Sequence, residues 1–192
     1  RIKTPAGPQW LTIPVHSRGA QTEKIPINQI AIDWEQPWNE RHLRTLQLAY
    51  AKAPYFKEYA SWLEEVYARR PALLADFTIP LTIELADRLG ITHTRYLRSS
   101  QLEGISGQKT ERLIQILTRV GADHYISGPS ARDYIEEERF QAAGIRLEYM
   151  HYDYPEYPQL YPPYDPQVSA LDLLLMTGPR ALEWIVGPGP KA

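Results

Sequence analysis

Apolar and polar residues change period twice along this chain, and each change marks a different kind of element. Residues 10–16 (Trp-Leu-Thr-Ile-Pro-Val-His) alternate as a strand does, with Pro14 placing it near an edge. Lys24 to Asp33 alternates again through Ile25 and Ile27. The turn residues Ser17, Arg18 and Gly19 lie between, so the two runs are expected to form an antiparallel pair. From Asn39 the period becomes helical. Leu43, Leu46 and Tyr50 share one stripe behind Asn39 as N-cap, and Pro54 ends that run. Phe56, Tyr59, Leu63, Val66 and Tyr67 line a second helix up to Arg69, Arg70 and Pro71. A third is expected over Ile79–Leu89, with Pro80 in its first turn and Gly90 as its cap.

The second half reads as a regular alternation. A strand is expected over Thr92–Arg98, a helix over Gln108–Val120 and a strand over Asp123–Ile126. A helix over Ser130–Ala143 capped by Gly144, a strand over Ile145–Tyr149 and a helix over Val168–Met176 complete the series. Strand–helix alternation with short links predicts an α/β fold: a three-layer domain with a mainly parallel, Rossmann-like sheet. The N-terminal strand pair and the helical segment 39–90 belong to the same single α/β domain, residues 1–186. Gly187-Pro188-Gly189-Pro190 opens a disordered tail over 187–192. Between the last strand and the last helix, Tyr149–Tyr164 alternates tyrosine and proline and cannot be helical. It reads as an extended strap over the surface or as an aromatic wall beside a ligand.

Composition narrows the chemistry. The chain carries a net charge of −2 and no cysteine, which removes disulfides and thiolate chemistry and gives no support to nucleic-acid binding. No apolar run is long enough for a membrane helix, and the absence of cysteine fits a cytoplasmic protein. The histidines have no metal-ligand spacing, so no metal site is expected, and nothing identifies a cofactor. The chain opens on Arg1 rather than Met, so residues preceding it are expected in the natural protein.

Ligands of parallel sheets gather at the carboxyl ends of the strands. Here those ends are Ser99-Ser100, Ser127-Gly128 and His151-Tyr152-Asp153, all polar. Ser127, Gly128 and Ser130, around Pro129, can hold a phosphate on backbone N–H groups and hydroxyls, or can simply cap a helix. Lys109 lies in a helix's first turn, where a cation opposes the dipole unless an anion binds beside it; the alternative is a solvated lysine paired with Glu103 or Glu111. His151 and Asp153 fall on one face of an extended segment, as an acid–base pair or as a polar strand end. Tyr125 and Tyr152 are candidate walls, and Ser99 and Ser100 candidate hydrogen-bonding groups.

Several of these positions fall in one recognisable pattern. Tyr125-Ile-Ser-Gly128, Tyr134-Ile135, Phe140, Gly144-Ile145, Tyr157, Ser169-Ala-Leu-Asp-Leu-Leu-Leu175 and Gly178 recur in order, after Trp10, Ile13-Pro14-Val15, Trp38, Tyr50–Tyr55 and Arg98-Ser-Ser100. Over nearly its whole length the chain resembles the WbqC-like protein family. The resemblance implies a strand and a proline-containing motif before Arg1. It also implies a place in bacterial surface-polysaccharide (O-antigen) or related biosynthesis. The expected partner is then a small phosphorylated or nucleotide-linked substrate, and the expected activity a transfer of an acyl or aminoacyl group to an amine. A non-catalytic binding or scaffold protein of the same pathways is the alternative, and a nucleotidyltransferase-like enzyme a third.

Overall fold

In the computed structural model, residues 1–16 and 25–186 are described. Their elements run β1 (Ile2–Thr4), β2 (Gly7–Gln9), α1 (Trp38–Tyr50), α2 (Phe56–Ala68), α3 (Leu74–Arg88), α4 (Lys109–Val120), β3 (His124–Ser127), α5 (Glu137–Ala142), β4 (Arg146–Tyr149), α6 (Ala170–Thr177) and α7 (Ala181–Val186). The fold is mixed α/β with small sheets: β1 and β2 pair antiparallel, β3 and β4 parallel. Two compact units result, residues 1–94 with 154–192, and residues 95–153. No helix among the described residues is long and apolar enough to cross a membrane.

The first unit is built on helices. Trp38, His42, Leu46, Ala49 and Tyr50 form the buried stripe of α1, and Tyr59, Trp62, Leu63 and Val66 that of α2. Both pack with α6, whose Leu171, Leu173, Leu174 and Leu175 are buried nearly all round, as a helix with no polar face must be. Ser169 caps α6, its Oγ accepting from the Leu171 N–H at 3.2 Å. The hairpin of β1 and β2 turns over Pro5-Ala6, with Gly7 at φ 101° closing it opposite Thr4, and buries Ile2 in the same core.

The second unit has its own core of Leu117, Ala131, Ile135, Phe140 and Ile145. The α4 helix ends in a left-handed Gly121, and a short turn leads into β3. Register in the parallel pair runs from His124↔Arg146 to Ser127↔Tyr149.

Several expectations change. The antiparallel pairing of the early runs is real but minimal: one bridge, Val15↔Ile32, with bonds from His16 N to Ala31 O and from Asp33 N to Pro14 O. Pro14, opposite Asp33, lacks the N–H that would extend it at that end. The turn at Ser17–Gly19 lies outside the described residues, as does the 187–192 tail. Thr92–Arg98 is not a strand. Neither of its alternating rows is apolar, and Tyr96 and Leu97 are both exposed. The sheet that carries the candidate residues therefore has two strands among the described residues, a small parallel pair. The α3 helix starts five residues before the expected Ile79, leaving Pro80 in its interior. The helix expected over Ser130–Ala143 divides into a 3₁₀ turn, Pro129–Asp133, and α5. At the break Thr110 Oγ accepts from Glu136 N and donates to Tyr134 O, a long-range bond that local periodicity does not reveal.

Candidate functional site

The ends of β3 and β4 lie side by side. Ser127 and Tyr149 are register partners, and Met150 N donates to Ser127 O at 2.8 Å, carrying the pairing one residue past the ladder. From these adjacent ends rise Gly128–Ser130 and His151–Asp153. The start of α4, where Lys109 precedes Thr110, is tied to the segment that follows β3. Thr110, wholly buried, fastens that helix start to Tyr134 and Glu136.

Ser127 is buried, whereas Gly128, Pro129 and Ser130 are exposed and lead into the 3₁₀ turn. Ala131 N donates to Gly128 O at 3.1 Å, so the first turn bond is formed within the chain. Lys109 is exposed and has φ 48°, the left-handed region that non-glycine residues rarely enter. Gln108 gives no side-chain cap to α4, so the N–H groups of its first turn are left without one. A left-handed lysine at an uncapped helix start is a strained residue beside unsatisfied donors.

His151 Nε2 stands 3.0 Å from Asp153 Oδ1, on side chains 87% and 93% exposed. The same-face geometry expected of an i, i+2 spacing is therefore present, in contact with solvent. Tyr152 between them is at the margin of exposure. Tyr125 serves packing: its ring stacks on Phe140 at 5.6 Å and 17°. Ser99 and Ser100 begin an exposed 3₁₀ turn, Ser99–Gln101, that follows no strand. The loop after them is held along the flank of α4, where Arg119 Nη2 donates to Glu103 O at 3.0 Å and Ser106 N to Gln115 Oε1 at 2.7 Å. Of the sequence candidates, Ser127, Gly128, Ser130, His151 and Asp153 share one strand end, Lys109 opens the helix that Thr110 ties to Tyr134 and Glu136, and Ser99 and Ser100 begin a turn away from any strand.

The first unit holds a polar cluster that periodicity does not single out. Asp172 is completely buried on α6 and accepts from Tyr50 OH at 2.8 Å and from Tyr157 OH at 2.9 Å. Tyr50 Oη accepts in turn from Lys3 N at 3.0 Å, and Tyr157 Oη from Gln159 Nε2 at 3.3 Å. Burial pushes the Asp172 carboxyl up against these donors, and burial followed by the Asp172 charge pushes both phenols up. Each hydroxyl is at once donor and acceptor, so the cluster is satisfied and structural. Its one sequence signal is an aspartate inside Leu171-Asp172-Leu173-Leu174-Leu175. The tyrosine–proline strap joins this network: Tyr161 OH donates to Ala49 O at 2.8 Å, and the Tyr157 and Tyr164 rings meet edge to face at 5.5 Å.

Known proteins place this arrangement in context. A model described as the WbqC-like protein family matches residues 1–184. Uncharacterized protein Rv1507c of Mycobacterium tuberculosis (strain ATCC 25618 / H37Rv) is 37% identical over 187 residues, spanning 96% of this chain and 79% of that protein. No solved structure matches.

Proposed function

This chain belongs to the WbqC-like protein family, and from that premise we propose an enzyme of bacterial surface-polysaccharide or related biosynthesis that binds a phosphorylated or nucleotide-linked substrate at the β3–β4 carboxyl end. The observation that carries the proposal is the His151–Asp153 pair at 3.0 Å on a strand end shared with Ser127. Uncapped N–H groups, a lysine and a serine-bearing turn are complementary to phosphate. Asp153 accepts from Nε2 of His151, which orients the ring and leaves Nδ1 to take a proton. In an acyl or aminoacyl transfer, a substrate amine attacks the acyl carbon and loses its proton to that nitrogen as the donor's leaving group departs. Alignment supplies most of the acceleration such a reaction needs. The solvent exposure of His151 and Asp153 supports a second reading, a non-catalytic binding protein whose strand ends hold the same ligand.

Lys109 separates function from stability. Lys109→Gly relieves the left-handed backbone and is expected to stabilise the apo protein by about 1 kcal/mol. It should also shrink the rise in melting temperature produced by nucleoside diphosphate sugars, because a ligand stabilises only through its affinity for the folded state. His151→Ala should keep that rise and lose turnover. A ligand-induced rise untouched by Lys109→Gly would refute the site. Unchanged turnover in His151→Ala would favour the binding protein.

A further inference from the structure

One edge of β4 is bonded by none of the described residues. In a parallel pair, alternate residues of each strand turn both peptide groups towards the neighbour. Arg146 N donates to Asp123 O and Met150 N to Ser127 O, so Arg146, Glu148 and Met150 face β3. Leu147 and Tyr149 thus present N–H and C=O to the opposite edge, where no described residue bonds to them. Beside that edge lies a shallow groove of about 380 Å³ between α5 and β4, with half-buried Leu147 and charged Glu137, Glu138 and Arg146 along it, over Phe140 and Ile145, which are already buried. No β3 residue lines it.

We propose that a second copy of this chain occupies the edge, the two β4 strands pairing antiparallel about a two-fold axis through Leu147. Charge selects this register. With Leu147 opposite its own copy, the outward peptide groups of both residues bond to each other, as a hydrogen-bonded antiparallel pair requires. Arg146 of each copy then stands directly opposite Glu148 of the other, on the solvent face where both side chains are exposed. Such directly opposed pairs are the stabilising unit of a sheet. An axis through Glu148 would set two carboxylates against each other, and one through Arg146 two guanidinium groups. An axis through Tyr149 would match no charges. Within the chain, Glu148 Oε2 already accepts from Arg146 Nη2 at 2.8 Å and contacts His124 Nε2 at 3.0 Å. Its Oε1 has no partner among the described residues and is the atom available to the second copy. The other edge, along His124 and Ile126, carries no cation–anion pair to set a register. On the groove side, Leu147 of the second copy would meet Leu147 across the axis, and the pairing removes the exposed edge that proteins otherwise have to protect.

The test is a charge exchange read by sedimentation equilibrium on the whole chain. Wild type should show a species of twice the 22.1 kDa chain mass. Arg146→Glu sets like charges opposite each other twice, as does Glu148→Arg, and each should weaken the dimer by at least ~10-fold. The double variant restores opposition of unlike charges and should dimerise like wild type. An equimolar mixture of the two single variants should form a heterodimer more tightly than either variant pairs with itself. Far-UV circular dichroism establishes that each variant is folded. Should either single variant unfold, the double variant decides alone: dimer retained supports the pairing, dimer lost overturns it. A wild type that stays monomeric up to about 1 mM overturns it too, as do single variants that dimerise normally.

Discussion

His42 shows how one buried side chain sets a pH dependence. Its ring lies 5.2 Å from Trp38 and 5.9 Å from Tyr67, and burial, with a smaller contribution from Arg41, holds its imidazole below the ordinary 6.5 against a raising bond with the Thr12 backbone. With the folded value depressed, the unfolded chain takes up the proton first as pH falls. The stabilisation from a neutral His42 is complete above the ordinary value and is lost as pH falls towards the folded one. Glu84 has the same sign in a lower window, its carboxyl depressed chiefly by Arg69. Asp172 has the opposite sign: burial raises it, so its contribution declines as pH rises from the ordinary carboxylate value towards the folded one. The melting temperature should therefore fall between about pH 7.5 and 5.5, and His42→Phe should flatten that fall while Asp172→Asn leaves it in place. A slope that survives His42→Phe assigns the titration to another group. At this scale the sequence shows identity and spacing well. His151 and Asp153 meet because i, i+2 spacing alone brings them together. Asp172 reaches Tyr50 across 122 residues, and spacing has nothing to say about that distance.

Elements are limited by what their ends allow. The α6 helix stops at Gly178, with φ 56° and ψ −132°, where the chain enters a 3₁₀ turn and then α7. A Cβ built on Gly178 would come within 2.3 Å of the Tyr55 ring carbons, and Tyr55 N itself donates to Leu175 O at 3.0 Å. The ring is therefore fixed by the helix it would have to leave. Gly178→Ala combines a forbidden backbone region with this overlap and should cost about 3 kcal/mol or more, measured as a lower urea midpoint with an unchanged slope. A loss under about 1 kcal/mol would mean that the loop and Tyr55 yield together. The end of α6 near Met176, and the helices α1, α2 and α4, were legible because those features are local. The start of α3 was not, since Pro80 suits a first turn better than an interior. There Thr78 and Thr82 donate their hydroxyls back to Leu74 O and Thr78 O on either side of the proline. Thr92–Arg98 misled for the converse reason: β-branched residues raise strand propensity, but without an apolar row there is no face to bury.

For the molecule as a whole, the division into two cores governs how it unfolds. The chain passes between the units twice, at 94–95 and at 153–154, and each unit buries its own apolar cluster. The cluster of Arg95–Asp153 is the smaller, and a body of about 60 residues buries only ~60% of the surface its unfolded chain exposes. This unit should be the first to open. Reporter groups happen to separate the two events. Trp10, Trp34, Trp38, Trp62 and Trp184 all lie in the first unit, so tryptophan fluorescence follows that unit, whereas far-UV circular dichroism also follows α4 and α5. In urea the dichroism should begin to fall before the fluorescence. Phe140 is wholly buried at the centre of the smaller core, against Tyr125, and truncating such a ring costs about 3–5 kcal/mol. Phe140→Ala should therefore move the early dichroic step to lower urea, or abolish it, and leave the fluorescence midpoint where it was. Coincident transitions in wild type, shifted together by Phe140→Ala, would instead mean that the two cores fold as one cooperative body. The β3–β4 strand end would then share the stability of the helical unit, rather than belonging to the part of the molecule that opens first.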